Sequence, residues 1–226
     1  MSPREAVEGR PWVWRAEFFD AFAGVDLVCG GWHVAYCCLS DMYGAPAAVE
    51  AMKRFHTYAV HSLGLSPRPA IFGFSRGGLY AVNYAHAYPD DTCCLYLDAP
   101  CLDIRNWPAG LNRYPRVEAE WARCKLIYGL TDDTVRDYDD SPLNHAPALA
   151  KRGIPVILVS GDADEAVYYP ENGGAFERRY REHGGPIKVI IKPGGRHHPH
   201  SLEDPREIAA FILECWNSGT QGIGVY

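Results

Sequence analysis

Apolar residues recur along the 226-residue chain in two alternating rhythms. Short, nearly continuous apolar runs at Trp32 to Leu39, Ala70 to Phe74, Cys93 to Leu97, Pro155 to Ser160 and Ile187 to Ile191 have the character of strands buried on both faces. Between them, apolar positions return every three or four residues. Ala45 to Leu63 sets Ala48, Met52, Phe55, Ala59 and Leu63 on one helical face and stops at Gly64. Gly77 to Tyr88 is small and apolar and stops at Pro89, while Ala175 to His183 is amphipathic and closes at Gly184-Gly185. Pro205 to Trp216 carries Ile208, Phe211, Ile212 and Cys215 on one face. Strands separated by helices predict one α/β domain over residues 1–226, with a doubly wound, mostly parallel sheet and right-handed crossovers.

One interval breaks the alternation. Pro100 to Gly153 is rich in Pro, Trp, Tyr and Asp, and within it Trp121 to Leu130 and Leu143 to Lys151 read as short helices. A connection of that length carries structure or function of its own. Residues 101–152 are therefore expected to form a small helical cap over the C-terminal edge of the sheet. A plain surface insertion is the alternative.

Composition narrows the classes. Hydrophobic residues at 47% exclude a disordered chain, and a net charge of −6 without a Lys/Arg cluster argues against nucleic-acid or anionic-membrane partners. No apolar run approaches the ~18 residues of a membrane span. The start, Met1-Ser2-Pro3-Arg4-Glu5, lacks the basic-then-apolar pattern of a secretion signal. The cysteines, with adjacent pairs Cys37-Cys38 and Cys93-Cys94, read as buried thiols, so a reduced, cytoplasmic setting is expected.

The sharpest chemical signal is Gly73-Phe74-Ser75-Arg76-Gly77, a Gly-x-Ser-x-Gly placed between an apolar strand and a helix. Such a turn lifts the serine hydroxyl above the sheet and aims the next backbone N–H, that of Arg76, at a developing oxyanion. A serine nucleophile needs a base, and the base an orienting acid. The fourth strand runs into Gly161-Asp162-Ala163-Asp164, and the fifth into Gly194-Gly195-Arg196-His197-His198-Pro199-His200. Asp164, further out towards the histidine loop, is the preferred acid, whereas Asp162 can tie down its own turn. Three imidazoles within four positions could hold a metal, but neighbours in an extended chain point apart and no further ligand pair stands nearby, so no metal and no cofactor is expected. The Arg76 guanidinium could recognise a substrate or brace the turn. Trp12 and Trp14, in Pro11-Trp12-Val13-Trp14-Arg15, could stack on a substrate ring or pack the interior.

Taken together, these pieces resemble the α/β-hydrolase superfamily, and within it a bacterial group of serine esterase-like proteins. The resemblance rests on Pro11-Trp12-Val13-Trp14-Arg15-Ala16, Gly31-Trp32-His33-Val34-Ala35-Tyr36, Ser40-Asp41-Met42-Tyr43-Gly44, Gly73-Phe74-Ser75-Arg76-Gly77-Gly78, Gly161-Asp162-Ala163-Asp164 and His197-His198-Pro199-His200-Ser201-Leu202. It implies Ser75 as nucleophile, Asp164 as acid and His197 as base, with His198 the alternative because Arg196 stands where glycine is usual. It implies a second oxyanion donor from the loop around Trp12. The expected activity is hydrolysis of a small-molecule carboxylic ester through an acyl-enzyme. Amide or peptide cleavage by the same triad, or a binding protein on a hydrolase scaffold, are the other readings. Members of the superfamily carry further strands ahead of the Pro-Trp segment, whereas ten residues precede Pro11 here. The sheet is therefore expected to lack its first strands, and a second copy of the chain is expected to cover the open edge as a dimer.

Overall fold

The structure, a computed structural model, describes residues 1–18 and 30–221. Six strands form one sheet: β1 (Trp12–Arg15), β2 (His33–Tyr36), β3 (Ala70–Phe74), β4 (Cys94–Asp98), β5 (Val156–Gly161) and β6 (Ile187–Lys192). All pairs are parallel, and the order across the sheet is β2-β1-β3-β4-β5-β6. Among the described residues the α-helices are α1 (Pro46–His61), α2 (Gly77–Ala87), α3 (Glu118–Tyr128), α4 (Pro142–Lys151), α5 (Gly173–Glu182) and α6 (Arg206–Gln221). β1 is the element the apolar pattern did not reveal. Its four residues end in an arginine, yet all four are buried between β2 and β3.

The pleat sends alternate side chains to opposite layers. Trp12, Trp14, Ile71, Leu95, Leu97 and Leu158 face a core closed by α1, α2, α4 and α5. Val13, Val34, Phe72, Phe74, Tyr96, Ile157 and Val159 face the other way, against Ile208, Ala209 and Ile212 of α6. Burying each large apolar side chain contributes about 1.5–3 kcal/mol of transfer free energy, so both layers hold the strands in register. The outer strand β2 is partly covered: the Val34 N–H donates to Met1 O at 3.0 Å, and the Met1 ammonium donates to Val34 O at 2.6 Å.

The long connection after β4 divides in two. α3 closes on the loop that follows β2: the Tyr128 hydroxyl donates to Tyr43 O at 2.7 Å, and the Tyr43 hydroxyl donates to Glu120 Oε2 at 2.6 Å. α4 packs on α2 and α5 and so belongs to the helix layer. Of the interval 101–152 expected to form a cap, α4 therefore lies in the helix layer, and it is α3 that meets the loop after β2. Among the described cysteines, Cys93, Cys94, Cys101 and Cys124 are buried free thiols, but Cys37 is half-buried and Cys38 exposed.

Candidate active site

The turn from β3 to α2 sets the site. Ser75 has φ +48°, a left-handed conformation that costs a non-glycine residue on the order of 1 kcal/mol. Backbone bonds hold it there: Ser75 N–H donates to Asp98 O at 2.9 Å, and the N–H groups of Cys101 and Gly78 donate to Ser75 O at 2.8 and 3.0 Å. Strand and helix pass so closely that a Cβ on Gly73 would stand 2.9 Å from Ala81 Cβ. Arg76 caps the helix, so its N–H belongs to the first turn, where helix geometry leaves donors without internal acceptors.

The loops after β5 and β6 bring the remaining groups to Ser75. His197 Nε2 lies 3.0 Å from Ser75 Oγ, and His197 Nδ1 lies 2.8 Å from Asp164 Oδ2. A carboxylate only accepts, so the ring proton is on Nδ1 and Nε2 accepts from the serine hydroxyl. The Asp164 side chain is fully buried, and its other oxygen accepts from the N–H groups of Ala166 and Val167, both at 2.8 Å. Burial pushes this carboxyl up, but the bonds from His197, Val167 and Ala166 together outweigh it and hold the group below its ordinary range.

Asp162 has a separate task. Its Oδ1 accepts from Gly194 N–H at 2.6 Å, and Ala163 N–H donates to Gly195 O at 3.0 Å, tying the two loops together. That approach requires glycine at 161, where a Cβ would collide with the Gly195 carbonyl. His198 is exposed and its ring meets that of His197 edge-on, so of the two neighbours it is His197 that reaches Ser75.

A second histidine–carboxylate pair stands beside the first. Asp98, at the end of β4, is fully buried and accepts from His200 Nδ1–H at 2.7 Å, from the Tyr96 hydroxyl at 2.5 Å and from Ser201 N–H at 2.7 Å. Sequence reading passed over Asp98, although a carboxylate ending the apolar run Cys94-Leu95-Tyr96-Leu97 was its available signal.

Many solved structures match almost the whole chain, and three illustrate the range. Carboxyl esterase 2 from the mycorrhizal fungus Tuber melanosporum is 15% identical, with 93% of this chain and 77% of that one aligned at a TM-score of 0.63. Est1E from Butyrivibrio proteoclasticus is 18% identical over 95% of this chain and 90% of that one, at 0.62. A Mycobacterium tuberculosis puromycin-hydrolyzing peptidase is 19% identical, and 94% of this chain covers 34% of that larger one, at 0.64. The chain has the α/β-hydrolase fold. No family model matches the sequence, and none of the curated proteins matches it.

Within the α/β-hydrolase fold, three expectations need correction. Trp12 and Trp14 are buried to 0% and 1% exposure and stack on each other with ring centroids 5.3 Å apart. Trp12 also opens β1, whereas Ser75 follows the end of β3, so it sits at the opposite end of the sheet and its Nε1 donates to Ser66 O. The Trp12 backbone therefore cannot supply the oxyanion donor, and neither indole can stack on a substrate. The backbone that borders the turn is that of Glu17: its N lies 3.7 Å from where a Gly77 Cβ would stand. Second, the Arg76 guanidinium lies among the protein's own carboxylates, 3.8 Å from Glu17, 3.8 Å from Asp41 and 3.6 Å from Glu120, and over the Phe18 ring, as a brace does. Third, neighbouring imidazoles do not diverge in this loop, because it is bent and the rings of His197, His198 and His200 converge.

Proposed function

We propose that this α/β-hydrolase-fold protein is a serine hydrolase that cleaves small-molecule carboxylic esters through an acyl-enzyme. The observation that carries the reading is the unbroken chain of hydrogen bonds from Ser75 Oγ through His197 to the buried Asp164. His197 Nε2 takes the hydroxyl proton as Ser75 Oγ attacks the ester carbonyl. The oxyanion is stabilised by the Arg76 N–H and by a second donor from the backbone at Glu17 and Phe18. The imidazolium then gives its proton to the departing alcohol, and Asp164 holds the ring and balances its charge. Water, deprotonated by His197, repeats the attack on the acyl-serine and frees the acid.

The test is hydrolysis of p-nitrophenyl acetate and butyrate, together with labelling by a fluorophosphonate probe, for the wild type and Ser75→Ala. Loss of both in the variant supports the reading, whereas hydrolysis by Ser75→Ala at the wild-type rate refutes it. Similarity to a peptidase favours amides as the second substrate class. Comparison of p-nitroanilides with p-nitrophenyl esters of the same acyl group decides between them.

A further inference from the structure

The loop after β6 carries more imidazole than ester hydrolysis uses. His197, His198 and His200 each offer one ring nitrogen, and these atoms all lie within 4.8 Å of one another. The ring centroids are 4.8, 4.8 and 4.9 Å apart, with planes inclined at 77°, 74° and 88°. Rings set at such angles meet edge to face, so they crowd their nitrogens together without stacking. His197 Nδ1 is bonded to Asp164 and His200 Nδ1 to Asp98, and both carboxylate side chains are fully buried. An acceptor-only partner keeps the proton on Nδ1, so in each neutral ring the lone pair sits on Nε2. A carboxylate behind an imidazole is also the arrangement that orients metal-binding histidines and raises their basicity.

Access and charge allow the same use. His198 is exposed, and a surface cavity of about 330 Å³ opens onto His198 and His200. Lys192 and Arg196 line that cavity with Glu203, but the Lys192 ammonium is directed to the carbonyls of Pro199 and Ser201 at 2.8 and 3.2 Å. Asp164 behind His197, Asp98 behind His200 and Glu203 in the cavity wall set three carboxylates against these two cations.

We propose that His197, His198 and His200 form a binding site for a first-row divalent transition cation, with Zn²⁺ as the reference ion, and that the bound ion switches hydrolysis off. Three nitrogen ligands suit Zn²⁺, Cu²⁺ or Ni²⁺ rather than Mg²⁺ or Ca²⁺, and water completes the coordination. Tetrahedral Zn–N bonds of about 2.0–2.1 Å need nitrogens closer than the present spread, and His198 is exposed while the other two rings are held by buried carboxylates. Inhibition, but not binding, rests on the reading of Ser75 and His197 as nucleophile and base. The lone pair that would bind the ion is the one that accepts the Ser75 hydroxyl. Ion and hydroxyl therefore compete for it, and a metallated His197 cannot take the serine proton.

Two readouts test this on the full chain. Co²⁺ serves as a spectroscopic probe of the site, because tetrahedral nitrogen coordination gives intense visible absorption. The expected result is that band in both the wild type and Ser75→Ala, and its loss in His198→Ala, whose exposed side chain can be removed without opening the core. In parallel, buffered Zn²⁺ is titrated into fluorophosphonate labelling and ester hydrolysis, each variant scaled to its own rate in chelator. Zn²⁺ suppresses the wild type, and the half-inhibiting concentration rises by about tenfold or more in His198→Ala. Absence of the Co²⁺ band from both wild type and Ser75→Ala, or equal Zn²⁺ sensitivity of wild type and His198→Ala, overturns the site. A Co²⁺ band in a protein that never labels, even in chelator, supports the site while refuting the hydrolase reading.

Discussion

Two histidine–carboxylate pairs stand side by side in this molecule, and they differ in what surrounds them rather than in their chemistry. His197–Asp164 and His200–Asp98 have nearly equal bond lengths, 2.8 and 2.7 Å, and both carboxylates are fully buried. The His197 side chain keeps 15% of its surface and reaches Ser75, whereas that of His200 keeps 2% and packs against Phe74. Asp164 receives two backbone N–H groups and one imidazole; Asp98 receives an imidazole, a backbone N–H and the Tyr96 hydroxyl. The first pair turns its far ring nitrogen to the Ser75 hydroxyl at a partly open position, as the proposed proton transfer needs. The second is a clamp, fastening the loop after β6 to the end of β4, the strand whose last carbonyl also holds Ser75. Proximity of a histidine to an aspartate is common to both pairs; what sets the first apart is its contact with Ser75.

That division makes ordered predictions. Ser75→Ala and His197→Ala should each cut ester turnover by roughly 10³-fold or more, and the double variant should be no worse than either alone, because the two act as a unit. Turnover of the double variant well below both singles would separate them. Asp164→Asn, which can stabilise the wrong tautomer, should lower turnover of the folded fraction by roughly 10³–10⁴-fold and, because this buried carboxylate also has three donors, cost about 2–4 kcal/mol in urea unfolding. Asp98→Asn should cost a similar amount of stability without the loss of turnover. Losing a buried charged acceptor with three donors should cost about 2–4 kcal/mol in urea unfolding, with turnover of the folded fraction falling less than about tenfold. Equal loss of turnover in Asp98→Asn and Asp164→Asn would abolish the distinction between relay and clamp.

The smallest effect extends the comparison to a histidine without a buried carboxylate. His145 stacks on His86 with centroids 3.8 Å apart, and its nearest acid, Asp140, is largely exposed. Burial, then the charge of His86, push the His145 pKa from 6.5 down to about 4. The unfolded chain therefore takes up this proton before the folded one does, and stability is lost as pH falls through that window. The loss attributable to this ring approaches about 3 kcal/mol by the lower end. His145→Gln should flatten the dependence of the urea midpoint between pH 6.5 and 4; an unchanged slope would remove His145 as its source.

Much of this architecture was legible in the residues. The apolar runs at 70–74 and 187–191 lie within a residue of β3 and β6: β3 is buried throughout, and β6, at the edge of the sheet, is half-buried and still mostly apolar although Lys188 is exposed. The set Ser75, Asp164 and His197 was legible too, since each follows a strand and all parallel strands end on the same edge of the sheet. What failed was whatever depends on direction along an element or on segments far apart. β1 is four residues long, and without recognising it as a strand nothing shows that Trp12 starts it and Glu17 follows it. Asp98 and His200 are 102 positions apart, and the carboxylates around Arg76 come from three separate segments. Local pattern cannot encode such meetings; the sheet order creates them.

The left-handed backbone at Ser75 has a consequence on a slower clock than any reaction. Folding alone would favour glycine there, because glycine removes roughly 1 kcal/mol of conformational strain, part of it offset by its greater freedom in the unfolded chain. A lineage that no longer needed the hydroxyl would meet no packing barrier to that exchange and a small gain in stability for making it. Drift at position 75 thus runs towards glycine, and a serine persists there only while something other than stability selects it.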